Sequence, residues 1–114
     1  MRNDPFTLFD EISQLLAAPV EGADAPPLER LEDTLTAGYA RALALEAERW
    51  RIEKRIGEVA ATLQDEETKL RTDEIAQLAA RLSDAEGELS RLRGLLATLR
   101  VRASDLRLAE AEAS

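Results

Sequence analysis

The sequence predicts an all-α protein, in which a short amphipathic helix precedes an antiparallel, coiled-coil-like helical hairpin. Two ladders of mostly apolar residues, with alternating steps of three and four, predict the two long helices, because this spacing is the a/d seam of a heptad repeat. Aromatic residues make up only 4% of the 114 residues, so the apolar content must lie along helix seams and not in a thick globular core. We expect two hairpins to dimerise into a four-helix bundle.

Residues 1–17 are predicted to form the short helix. Asp4 can cap its first amides, and Pro5 suits the first helical position. The apolar residues that follow fall within about half of the helical circumference, so one face must be buried. These residues are Phe6, Leu8, Phe9, Ile12, Leu15 and Leu16. Residues 18–27 contain three prolines and a glycine and are predicted to form a linker.

The two ladders define the hairpin over residues 28–108. The first ladder consists of Leu28, Leu31, Leu35, Gly38, Ala42, Leu45, Arg49, Ile52, Ile56, Val59 and Leu63. The second consists of Ile75, Leu78, Leu82, Ala85, Leu89, Leu92, Leu96, Leu99, Ala103 and Leu106. The phase shift between them matches neither a stutter nor a stammer, so one continuous seam does not survive it. We predict a turn near residues 65–74 and a frayed tail at 109–114.

Charge placement favours the antiparallel hairpin over a long parallel rod. With the turn centred near residue 69, a basic run at residues 49–55 faces acidic residues at 84–88. On the same alignment, basic residues at 91–107 face acidic residues at 29–48. Each exposed pair is worth only about 0–1 kcal/mol, so the pattern selects an alignment more than it supplies stability. An elongated parallel coiled-coil spacer is the less favoured alternative.

A second apolar stripe lies off the first seam. Tyr39, Leu43, Ala47 and Trp50 are spaced by four, four and three residues and share another face of the helix. Leu95, which lies off the second ladder, is level with Leu43 in the predicted hairpin. We predict contacts at Tyr39, Leu43, Trp50 and Leu95. Three occupants are open: the N-terminal helix or a second copy, a partner's helix in a groove, or a small molecule.

Three residues of the N-terminal helix are predicted to bind the same surface from within the chain and so to compete there with any other occupant. They are Phe6, Phe9 and Ile12. The linker would allow this helix to cover the stripe, either permanently or as a plug that a partner releases.

The composition argues against catalysis and metal binding. The chain has no cysteine and no histidine, which removes thiol and imidazole nucleophiles and the usual zinc ligands. The densest carboxylate group belongs to the predicted solvated turn and matches no EF-hand loop. It consists of Asp65, Glu66, Glu67, Asp73 and Glu74. We therefore predict a protein that is not an enzyme and has no cofactor or metal site.

The charge and the hydropathy of the chain limit the classes of partner that it can bind. The net charge of −8 repels nucleic-acid phosphates and anionic membrane surfaces. No stretch approaches the roughly 20 apolar residues that cross a bilayer, and no signal-like apolar core is present. We expect a cytoplasmic protein without a nucleic-acid or membrane partner, and a homo-oligomer, with a dimer favoured, or a complex with a partner helix.

Residues 31–56 contain Thr34-Leu35-Thr36-Ala37-Gly38 followed by a charged helix rich in Glu, Arg and Lys. This segment resembles the helical hairpins of flagellar export chaperones over about a quarter of the chain. The resemblance implies an alternative function, an export or folding chaperone that holds a partner's helix. The residues themselves predict a non-catalytic structural or adaptor module that acts through self-association or through a partner helix.

Overall fold

A computed structural model describes residues 5–63 and 68–113 of the chain. These residues form three helices, α1 at Pro5–Ala17, α2 at Leu28–Ala60 and α3 at Thr68–Ala113. The described residues contain no strand, which confirms the all-α prediction.

The chain divides into two compact units. Unit 1 comprises Met1–Ala42 and Arg91–Ser114, and unit 2 comprises Leu43–Ser90. In both units the residues of the two apolar ladders face the interior. Every apolar ladder residue is buried or half-buried, as the heptad spacing predicts.

The linker between α1 and α2 has a defined path. Gly22 has a φ of 97°, a value that glycine adopts without steric cost, and the amide of Ala25 donates to its carbonyl over 3.2 Å. The carbonyl of Pro27 then accepts from the amides of Arg30 and Leu31 at 3.1 and 3.3 Å. These bonds begin α2 directly after the two prolines.

Residues 68–74 of the segment predicted as the turn, 65–74, are helical, and residues 64–67 lie outside the described residues. Amides of Thr62 and Leu63 bond the carbonyls of Val59 and Ala60 at 3.0 and 3.2 Å and close the end of α2. α3 already begins at Thr68, and its first turns, at residues 69–74, contain no glycine or proline that would delay the start of the helix.

The predicted frayed tail at 109–114 is also helical in its described part. α3 continues to Ala113. Alternating alanine and glutamate in this segment explain the difference, since both residues have high helix propensity.

Unit 1 contains all of α1, the first part of α2 and the last part of α3. Gly38 of α2 lies against Leu96 of α3, and Glu32 bonds Arg107, so these two segments run in opposite directions. This unit holds most of the buried core. Its buried apolar residues are Leu8, Ile12, Leu15, Leu31, Leu35, Ala42, Leu92, Leu96, Leu99 and Ala103.

α1 runs in the same direction as the α3 segment of unit 1. The guanidinium of Arg91 lies over the ring of Phe9, 4.4 Å from its centroid, and Arg102 donates to the carbonyl of Leu15 over 3.0 Å. The apolar face of α1 is buried in this unit. Thr34, which lies beside the first seam, is buried here as well.

Unit 2 is thinner, because its described residues belong to only two helices, α2 and α3. Ile52, Val59 and Leu78 form its buried cluster, with partly buried apolar residues packed around them. The surrounding residues are Ile56, Ile75 and Leu82. Two helices enclose one seam and leave the outer sides of both helices uncovered.

The predicted charge pairing is correct for Arg107 and wrong for Arg55. Arg107 Nε donates to Glu32 over 2.9 Å, whereas Arg55 pairs with Glu74 at 2.9 Å and not with residues 84–88. The Arg107–Glu32 pair, in unit 1, fits the predicted alignment, whereas Arg55, in unit 2, pairs with a residue about nine positions earlier in α3 than that alignment gives.

Candidate interaction surface

An exposed apolar surface lies on α2 within unit 2. Leu43, Ala47 and Trp50 are spaced by four and three residues, and we call this set the α2 face. Leu43 is 67% exposed and Trp50 is 61% exposed. Side chains of this size are usually buried in a folded chain, so the α2 face is a candidate contact surface.

The helical period places the α2 face opposite the seam. At 100° per residue, Leu43, Ala47 and Trp50 fall within about 60° of one another, whereas Leu45 and Ile52 lie about 180° away. Leu45 and Ile52 are both buried. The seam therefore uses one side of α2 and leaves the opposite side to the exposed apolar residues.

Lys54 restrains the indole ring of Trp50, the largest side chain of the α2 face. Its ammonium nitrogen lies 5.2 Å from the centroid of the Trp50 ring, one helical turn away in sequence. A cation–π contact of this kind contributes about 0.5–1 kcal/mol at an exposed site. It restrains the ring against the helix, so less conformational freedom would be lost when a partner covers it.

The other predicted contact residues of the stripe lie in unit 1. Tyr39 is 43% exposed, and by the helical period it continues the direction of the α2 face. Leu95 is half-buried. A surface shared by Leu95 and Leu43 stays a prediction.

The residues of α1 that were predicted to bind the stripe differ from Tyr39 in burial. Ile12 is fully buried, Phe9 is half-buried beneath Arg91, and the side chain of Phe6 lies outside the described residues. Tyr39 belongs to the same unit and is 43% exposed. The apolar face of α1 contributes to the core of unit 1, and its role as a cover or plug for the stripe stays a prediction.

A second concave surface, in unit 1, was not found from the sequence. It is a groove of about 590 Å³ between the linker and α3. Its lining consists of Pro19, Val20, Glu21, Pro26, Leu31, Thr98, Val101, Arg102, Asp105, Leu106 and Ala109. A signal for it exists in the sequence, since Val20 is an apolar residue in a proline-rich segment.

The structure brings no metal-binding cluster together in the part of the chain that it describes. No group of three or more Asp or Glu residues there could hold an ion. Within the predicted carboxylate group, Glu74 pairs with Arg55 at 2.9 Å and with Arg71 at 3.6 Å. Asp65, Glu66 and Glu67 lie outside the described residues.

Among the described residues, no helix has both the length and the apolar character that a membrane crossing needs. No protein-family model matches the sequence, and the comparisons with curated proteins and with solved structures give no match either.

Proposed function

We propose that the protein is a non-catalytic helical interaction module that self-associates through the α2 face. One observation carries the proposal: Leu43 and Trp50 are exposed side by side on the outer side of a unit built from two helices. Two helices with one seam bury little apolar surface, and a second copy is the usual means by which such a pair completes its core.

The α2 face is self-complementary. In an antiparallel pairing with a twofold axis near Ala47, Leu43 of one copy meets Trp50 of the other, and the same contact repeats across the axis. Ala44 and Ala47 are exposed near the axis, and their small side chains allow close helix approach. The product is a four-helix bundle made from the α2 and α3 segments of two copies.

The expected strength follows from the buried side chains. Covering a leucine that was exposed contributes about 1.5–3 kcal/mol, and a symmetric dimer contains the contact twice. Replacing Leu43 with a charged residue should therefore weaken the dimer by about 10²- to 10⁴-fold.

Sedimentation velocity over a concentration series tests the proposal. The wild-type chain should approach twice its mass of 12.6 kDa as concentration rises, and Leu43→Glu should stay at the monomer mass. Leu70→Glu is the matched control, since Leu70 is 62% exposed and lies in the same unit. A wild-type chain that is monomeric throughout, or equal weakening by the two variants, would contradict self-association through this face.

The alternative is a chaperone-like role, in which the same face holds a partner's helix. The spacing of Leu43, Ala47 and Trp50 at i, i+4 and i+7 gives α2 an apolar stripe along which the apolar face of an amphipathic partner helix can pack. The sedimentation experiment discriminates the two roles. Dimerisation that Leu43→Glu abolishes supports self-association, and a monomer supports a partner.

A further inference from the structure

We propose that the groove of unit 1 is a binding site for a small apolar molecule that carries a positive charge, such as a protonated alkyl amine. The groove is separate from the α2 face in its residues and in its unit. The proposal is therefore independent of self-association.

The shape and the lining of the groove suit a small apolar molecule. A volume of about 590 Å³ lies within the range of small-molecule sites, which is about 300–1,000 Å³. Pro19, Val20 and Pro26 come from the linker, and Val101 and Leu106 come from α3. Val20 and Val101 are largely exposed, so an alkyl chain would cover apolar surface that water now contacts.

Arg102 connects the two walls. Its Nη1 donates to the carbonyl of Leu15 over 3.0 Å and to the carbonyl of Ala18 over 3.4 Å, at the end of α1 where the linker begins. Carbonyls at a helix C-terminus carry partial negative charge, which the guanidinium partly offsets. These bonds hold the start of the linker beside α3, and the one cation of the lining is engaged with the backbone.

The remaining charges of the lining are negative. Glu21 and Asp105 both line the groove, and neither has an ion pair or hydrogen bond among the described residues. Their carboxylates favour a ligand with a cationic group, whose alkyl chain would lie along the apolar walls. A ligand with a carboxylate would instead meet two like charges.

A charge series on one alkyl chain tests the site. We would titrate the full chain with octylamine, octanol and octanoate and follow amide resonances of residues 19–26 and 98–109 by NMR. Octylamine should bind about tenfold more tightly than octanol, because two exposed carboxylates each contribute a modest attraction, and octanoate should bind most weakly.

Variants separate the contribution of charge from that of shape. Glu21→Gln combined with Asp105→Asn should make octylamine and octanol bind equally, and Val101→Ala should weaken all three ligands. Leu43→Glu, in the other unit, should change nothing. The wild-type series alone is decisive if a variant does not fold. Equal binding of the three ligands, tighter binding of octanoate, or no shift in either segment would overturn the proposal.

Discussion

Gly38 is the position at which a single methyl group tests the packing of unit 1. A Cβ atom added to Gly38 would overlap Cδ2 of Leu96 and would lie 3.2 Å from its Cγ and 3.3 Å from its Cδ1. Leu96 is buried, so its side chain must move into space that other core residues occupy. The glycine is therefore required by close approach of α2 and α3, although alanine is the better helix former.

Two opposing effects determine how much Gly38→Ala changes the free energy of unfolding. Alanine improves helix propensity by up to about 1 kcal/mol, and overpacking a filled core costs about 1–3 kcal/mol. We expect a net loss of about 0–2 kcal/mol in the free energy of unfolding. Gly94, also in unit 1, has no neighbouring atom within 4 Å of an added Cβ, so Gly94→Ala should stabilise the protein by about 0.5–1 kcal/mol.

Urea unfolding followed by circular dichroism measures both variants under one condition. The unfolding midpoint of Gly38→Ala should lie below the wild-type midpoint, and that of Gly94→Ala above it. Leu96→Ala alone should destabilise the protein, because it leaves a cavity. In the Leu96→Ala background the clash is gone, so Gly38→Ala should become neutral or stabilising.

The result that would refute this reasoning is a Gly38→Ala variant as stable as Gly94→Ala. It would mean that α2 and α3 do not approach closely at this point. A cost of Gly38→Ala that persists unchanged in the Leu96→Ala background would show that Leu96 is not the source of the strain.

Three further predictions concern α1 and a cross-helix ion pair. Ile12→Ala should cost about 2–5 kcal/mol in urea unfolding, because Ile12 is fully buried in unit 1, and a loss under 1 kcal/mol would contradict that burial. Arg102→Leu removes the hydrogen bonds to the end of α1 and should cost about 1–3 kcal/mol, with faster hydrogen exchange of α1 amides than of the rest of unit 1. Arg107 and Glu32 are joined at 2.9 Å but are both about half exposed, so a double-mutant cycle should give about 0.2–1 kcal/mol of coupling, reduced in 1 M salt. Coupling that is unchanged by salt would show that the pair is not electrostatic.

The seam could be predicted from the sequence because heptad spacing is a local property of the chain. Ladder positions such as Leu45 and Leu89 are buried, and off-ladder positions such as Leu43 and Trp50 are exposed. Spacing alone identifies the side of a helix that packs, and this is why the α2 face could be predicted from the sequence.

The position of the turn and the surface against which α1 packs were harder to predict, for physical reasons. The segment between the ladders has no glycine or proline, so only the phase shift marks the turn, and the alignment drawn from it assigned Arg55 the wrong partner. The amphipathic pattern of α1 shows that one face is buried but not which surface covers it. The groove also depends on the path of the linker, which residue spacing does not encode.

Disulfide cross-linking of single-cysteine variants tests the central claim, that two copies pair through the α2 face, most directly. The natural chain has no cysteine, so Ala47→Cys introduces one thiol close to the proposed twofold axis. A disulfide needs Cα atoms about 4.4–6.8 Å apart, a distance that antiparallel α2 helices in contact through alanines can reach. Ala80→Cys, at an exposed alanine of α3 in the same unit, is the control. We predict rapid formation of a covalent dimer by Ala47→Cys and slow formation by Ala80→Cys, and equal slow rates for the two would contradict pairing through the α2 face.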